Sequence, residues 1–142
     1  MKIKTKSKKV NKAWLAGHVN DPELDALERI FKHPDCRLLT LTGMGGIGKT
    51  RLAIEFAARQ RQMFVDGVFY VPLASINSMD AIVPAIAEVL ECPFAGPMDL
   101  KEQLIRHMLV VIKQSALLVL DNLEHLIALS PAPVELVSEF LE

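Results

Sequence analysis

Between Arg37 and Ala53 the chain reads Arg37-Leu38-Leu39-Thr40-Leu41-Thr42-Gly43-Met44-Gly45-Gly46-Ile47-Gly48-Lys49-Thr50-Arg51-Leu52-Ala53. The part from Cys36 to Thr42 is short, apolar and β-rich, the composition of a buried parallel strand. Glycines then crowd the next positions. From Lys49 to about Gln62 good helix formers run without glycine or proline, and Leu52, Ala53, Phe56 and Ala57 make an apolar stripe. A strand, a glycine-rich loop and a helix are thus predicted in immediate succession.

Gly43 to Thr50 satisfies the spacing GxxxxGK[ST], and its context is the one that gives this pattern meaning. Glycines let the backbone curl without Cβ clashes, so that several N–H groups can point at phosphate oxygens while the helix dipole adds positive potential. Lys49 is placed to bridge β- and γ-phosphates, and Thr50 offers a hydroxyl to Mg²⁺. A glycine-rich turn that merely closes a strand would explain the glycines but not the Lys-Thr pair. The predicted binding set is Gly43, Met44, Gly45, Gly46, Ile47, Gly48, Lys49 and Thr50, with Arg51 added at the start of the helix. The predicted ligand is ATP or ADP with Mg²⁺.

Such a site needs an acid at the end of a neighbouring buried strand. Ala116-Leu117-Leu118-Val119-Leu120 is too apolar to be a half-exposed strand, and it ends in Asp121. Thr50 and Asp121 are therefore the predicted metal ligands. Hydrolysis asks for more, because something must orient or activate the attacking water. The residue after Asp121 is Asn122, whose amide can position water but cannot accept its proton. Slow turnover follows unless Glu124 reaches the γ-phosphate, so Asp121, Asn122 and Glu124 form the candidate catalytic group. His125 reads as a surface residue at a helix start.

The remaining elements fall around these two motifs. Asp21-Pro22-Glu23 looks like a helix start, with Asp21 as N-cap and Leu24, Leu27 and Phe31 on one face, stopping near His33-Pro34. Asp66-Gly67 makes a turn before a strand at Val68 to Leu73, limited by Pro72. Helices are predicted from about Ser78 to Glu91 (Ile82, Ile86, Val89) and from about Met98 to Lys113 (Leu100, Leu104, Met108), separated by the break Cys92 to Pro97. A last helix covers Pro133 to Leu141. Alternating strands and helices predict an α/β class, a three-layer α/β/α arrangement around a parallel sheet.

The chain has 142 residues and is 51% hydrophobic, enough to fill one core. Its net charge of −1 is uneven, since Lys2, Lys4, Lys6, Lys8, Lys9 and Lys12 supply six of its sixteen basic residues. Residues 1–13 are read as a basic disordered tail and 14–142 as the domain. No aromatic residue interleaves those lysines before Trp14, which argues against single-stranded nucleic acid as a partner. Cys36 and Cys92 form no CxxC or Cys/His cluster, which argues against structural zinc or a disulfide framework and fits a reducing cytoplasm. No apolar run reaches membrane-spanning length, so no membrane partner is expected.

From Arg37 through Glu124 the chain resembles the STAND-type signalling ATPases, the class with NB-ARC domains and the large bacterial transcriptional regulators. The resemblance is carried by Arg37 to Ala53, by Asp66-Gly67-Val68-Phe69-Tyr70-Val71-Pro72-Leu73-Ala74, and by Leu117-Leu118-Val119-Leu120-Asp121-Asn122-Leu123-Glu124-His125-Leu126, in that order. It implies a nucleotide-dependent switch in which ADP holds a closed state and ATP an open, often oligomeric one. Its partners would then be other copies or the regulatory domains of a larger protein. The family's upstream Gly-Arg motif is not matched, because Leu15-Ala16-Gly17-His18-Val19-Asn20-Asp21-Pro22-Glu23-Leu24 has no arginine.

In the family a further strand, bearing a sensor residue, lies between those of Gly43 and Asp121, and a small helical region and a winged helix follow. The resemblance therefore implies the N-terminal portion of an NB-ARC-like domain, with its sheet truncated after the Asp121 strand. Two other readings stay open at this point. One is a small P-loop phosphotransferase, for which no acceptor site with a convergent base is visible; the other is a remnant without nucleotide function.

Overall fold

The computed structural model describes residues 22–141. The basic stretch 1–13, the start of the domain expected at 14–142 including Gly17, and the expected Asp21 cap lie outside the described residues. The helical spacing of Leu24, Leu27 and Phe31 produces α1 (Pro22–Phe31), with Leu24 and Leu27 buried. The P-loop helix α2 (Lys49–Gln60) buries Phe56 and Ala57 from its apolar stripe. Phe31 meets Phe56 edge-on, with ring centroids 5.2 Å apart. On the same side, Arg59 joins the two helices through Asp25, Glu28 and the buried Glu55, at 3.6–3.7 Å.

Two strands, β1 (Gly67–Pro72) and β2 (Ala116–Asp121), pair in parallel, with Tyr70 opposite Val119 and Pro72 opposite Asp121. Aligned partners in a parallel pair point to the same side, so the register sorts the side chains into two faces. Phe69, Val71, Leu118 and Leu120 face a core built with α3 (Ile82–Leu90), α4 (Leu100–Val111), α5 (Glu124–Ile127) and α6 (Ala132–Leu141), where Ile86, Leu104 and Leu126 are fully buried. Leu117 belongs to the other face and packs with Leu24, Leu27, Leu52 and Phe56 of α1 and α2. Helices thus cover both faces of a parallel sheet, as the α/β/α expectation requires.

Several boundaries move for local reasons. The helix expected from Ser78 begins as a 3₁₀ turn at Met79–Ala81 and becomes α-helical only at Ile82, and Glu91 closes it in a left-handed conformation, φ 54°. Asp99 caps α4 by accepting the N–H groups of Lys101 and Glu102, so the helix begins at Leu100 and not at Met98. It stops at Val111 because Asp66 Oδ2 accepts the N–H groups of Lys113, Gln114 and Ser115, at 3.0, 2.6 and 2.8 Å.

The strand expected at Cys36 to Thr42 is not a ladder member: the described sheet has only β1 and β2. The segment carries no regular secondary structure, with Leu39 and Leu41 packed against the α1/α2 cluster and Leu38 left 56% exposed. Lacking a pairing partner among the described residues, it covers Leu39 and Leu41 only partly and leaves Arg37, Leu38, Thr40 and Thr42 exposed. For the same reason β2 is not fully buried as expected. Every one of its residues is partly exposed, because β1 covers a single edge. The P-loop α/β fold is therefore present with an incomplete sheet, as expected if the ladder beside the Gly43 segment is missing. Among the described residues no helix is long and apolar enough to cross a membrane.

Candidate functional site

The loop between Thr42 and α2 is shaped by its glycines. Gly46 and Gly48 have φ of 81° and 92°, where an L side chain is strained, and Gly48 is the left-handed residue from which α2 departs. Ile47 folds back over Gly43, whose lack of a side chain leaves it room. The first turn of α2 carries no acid and its N–H groups have no side-chain cap, so the positive end of a 12-residue helix faces the loop. Lys49 Nζ donates to the carbonyls of Gly43 at 2.8 Å and Met44 at 3.1 Å, which lays the ammonium across the loop. Such an arrangement can receive a polyphosphate.

Asp121 stands at the C-terminal end of β2, on the face turned toward α2. Its Oδ1 accepts the Thr50 hydroxyl at 2.9 Å, joining residues 71 positions apart. Its Oδ2 accepts the phenol of Tyr70 at 2.6 Å, the length of a charge-assisted O–H···O⁻ bond. Burial, followed by this hydrogen bond and the carboxylate's charge, pushes the Tyr70 phenol well above its ordinary pKa, so it acts as a donor. Among the described residues no three His, Cys, Asp or Glu side chains gather as a metal cage. The donor set is one hydroxyl and one carboxylate beside a phosphate-binding loop. Those hard oxygen donors fit Mg²⁺, which is usually held by one or two carboxylates together with substrate phosphates.

The other predicted residues are spread more widely. Met44 and Ile47 are exposed on the loop, Gly45 lies in open space, and Arg51 is exposed on the first turn of α2. Asn122 follows Asp121 with φ 62°, a left-handed conformation that asparagine tolerates better than most residues. Its identity therefore has a backbone reason independent of water. Glu124 is exposed at the start of α5, and neither it nor Asn122 bonds to the loop among the described residues. His125 is not a plain surface residue: Nε2 lies 2.7 Å from the Ile76 carbonyl, tying α5 to the segment after β1. Sequence reading missed Tyr70. Period-2 spacing places it on the same face as Val68 and Pro72, but only the register with β2 brings it to Asp121.

An AAA domain family model matches residues 32–142 of this chain, a span that takes in the loop, Tyr70 and Asp121. An uncharacterized protein of Mycobacterium tuberculosis is 32% identical over 105 residues, which is 74% of this chain and 25% of that protein. A candidate HTH-type transcriptional regulator of the same organism is 36% identical over 91 residues, 64% of this chain and 10% of its own length. A nucleotide-binding leucine-rich repeat (NLR)-like protein of Hyaloscypha variabilis is 44% identical over 48 residues, covering 33% of this chain and 5% of that protein. This chain thus matches a quarter or less of the length of each of these relatives. No solved structure matches it. With the glycine-rich loop running into α2, the Lys-Thr pair and the acid at the end of β2 inside the matched span, the chain belongs to the AAA domain family of P-loop, nucleotide-binding domains.

Proposed function

We propose that this chain is the nucleotide-binding part of a STAND-type switch, which holds ATP or ADP with Mg²⁺ and turns nucleotide over slowly. The observation that carries the reading is the Thr50 hydroxyl bonded to Asp121 at the mouth of the loop, the two groups a P-loop protein uses around its metal. In this reading the loop backbone from Gly43 to Thr50 holds the phosphates, with Arg51 beside them. Lys49 exchanges its two carbonyl partners for phosphate oxygens, and Thr50 and Asp121 serve the cation.

Asn122 supplies no base, and Glu124 lies on the first turn of a helix at the same end of the sheet. That arrangement favours binding over hydrolysis. The relatives named for transcriptional regulation and for NLR-like architecture support a regulatory role within a larger protein, with its other domains or other copies as partners. The free Cys36 and Cys92 fit a reducing cytoplasm as its location.

Isothermal titration with ATP and ADP in the presence of Mg²⁺ tests the reading. Lys49→Ala is expected to weaken both at least tenfold. Equal affinity of the variant and the unmutated chain would remove the loop from the proposal.

A further inference from the structure

Tyr70 is the chain's single tyrosine, and no part of the P-loop motif calls for it. Its ring is anchored in β1, and its hydroxyl reaches across the parallel pair to Asp121 Oδ2 at 2.6 Å. The other oxygen of the same carboxylate accepts from Thr50 at 2.9 Å. A free aspartate at a strand end can rotate about χ2 and present either oxygen. Here one oxygen is claimed by a donor on the neighbouring strand, so the other is the one left facing the P-loop helix. Two hydrogen bonds of this kind fix the plane of the carboxylate as well as its position.

We infer that Tyr70 is a positioning residue for the metal site, holding Asp121 Oδ2 so that Oδ1 is presented beside Thr50 to the cation that accompanies the nucleotide. The inference rests on the proposed nucleotide-Mg²⁺ reading of the loop. Tyr70 touches neither phosphate nor metal in this role; it acts through Asp121. Groups that orient a ligating side chain contribute about 10- to 100-fold to metal affinity. The phenylalanine variant keeps the ring and removes only the donor, so the effect falls on cation dependence and leaves phosphate binding alone.

The test measures ADP affinity of the full chain across a Mg²⁺ titration and again in excess EDTA. For Tyr70→Phe the Mg²⁺ midpoint is expected to rise about tenfold, with EDTA affinity unchanged. A midpoint equal to or below that of the unmutated chain overturns the inference while leaving the nucleotide reading intact. An unmutated chain that binds no ADP under either condition overturns the nucleotide reading instead. A second measurement covers a variant that fails to fold. With ¹³Cζ-labelled tyrosine the unmutated chain gives one resonance, which is expected to move further on adding ADP with Mg²⁺ than on adding ADP alone. Identical shifts in the two cases overturn the inference.

Discussion

Asp66 Oδ2 accepts the N–H of Gln114 at 2.6 Å, so the residue just before β1 also terminates the helix leading into β2. The N–H groups of Ser115 and Lys113 go to the same oxygen, and Asp66 N–H donates in turn to the Ser115 carbonyl. The Gln114 bond leads the effects that hold the Asp66 carboxyl below its ordinary pKa, against a smaller opposing effect of burial. A carboxyl depressed in the folded state contributes stability that is present above its unfolded pKa and lost as pH falls through the folded one. Urea midpoints are therefore expected to drop through and below the ordinary aspartate range. In Asp66→Asn that part of the acid slope should vanish, and an unchanged slope would assign it to other groups.

Gly48 separates backbone strain from crowding. A Cβ at this position would meet nothing within 4 Å, yet φ is 92°. Gly48→Ala is expected to cost about 1–2 kcal/mol from the left-handed conformation alone, read as a lowered urea midpoint. Gly48→Asn should cost less, because asparagine tolerates that region.

Asn122 carries two candidate roles that substitutions can pull apart. If its left-handed φ of 62° is the constraint, Asn122→Gly stays near the unmutated stability while Asn122→Val loses about 1–2 kcal/mol. If the missing base limits turnover, Asn122→Asp should raise the rate of ATP hydrolysis by about tenfold or more. No increase in phosphate release would leave the backbone as the sole reason for asparagine.

Glu55 has a side chain only 4% exposed, with the Arg59 guanidinium 3.6 Å away on the next helical turn. Removing the cation strands a buried carboxylate. Arg59→Ala should therefore destabilise the fold by about 3 kcal/mol. A Glu55→Leu, Arg59→Met double variant should recover most of that loss in chemical denaturation. A double variant as weak as the single one would place the cost in Arg59's contacts with Asp25 and Glu28 instead.

What could be read from the sequence was what local rules determine. The P-loop spacing, the α2 stripe at Leu52, Ala53, Phe56 and Ala57, and the apolar run into Asp121 each depend on residues close in the chain, and each is present in the structure. The juxtaposition of Thr50 and Asp121 was legible because the two belong to motifs that travel together. Burial of the Cys36 to Thr42 segment and of β2 was overestimated, because apolar composition reports what a strand could bury. A ladder depends on partners, and the described residues supply only one. Tyr70 was missed and His125 was misread as a surface residue because their partners lie 51 and 49 positions away, a distance that only strand register and loop docking bridge.

The tether from Lys49 to the Gly43 and Met44 carbonyls has an entropic side. A lysine side chain that is ordered only on binding gives up rotamer freedom worth about 1.5–2 kcal/mol. Here part of that ordering occurs when the chain folds, so in the proposed function an arriving phosphate would meet an ammonium already confined near the loop. Under the proposed function, the entropy of ordering Lys49 would then be charged to folding and not to binding, so that part of the loop's affinity would be set before any ligand arrives.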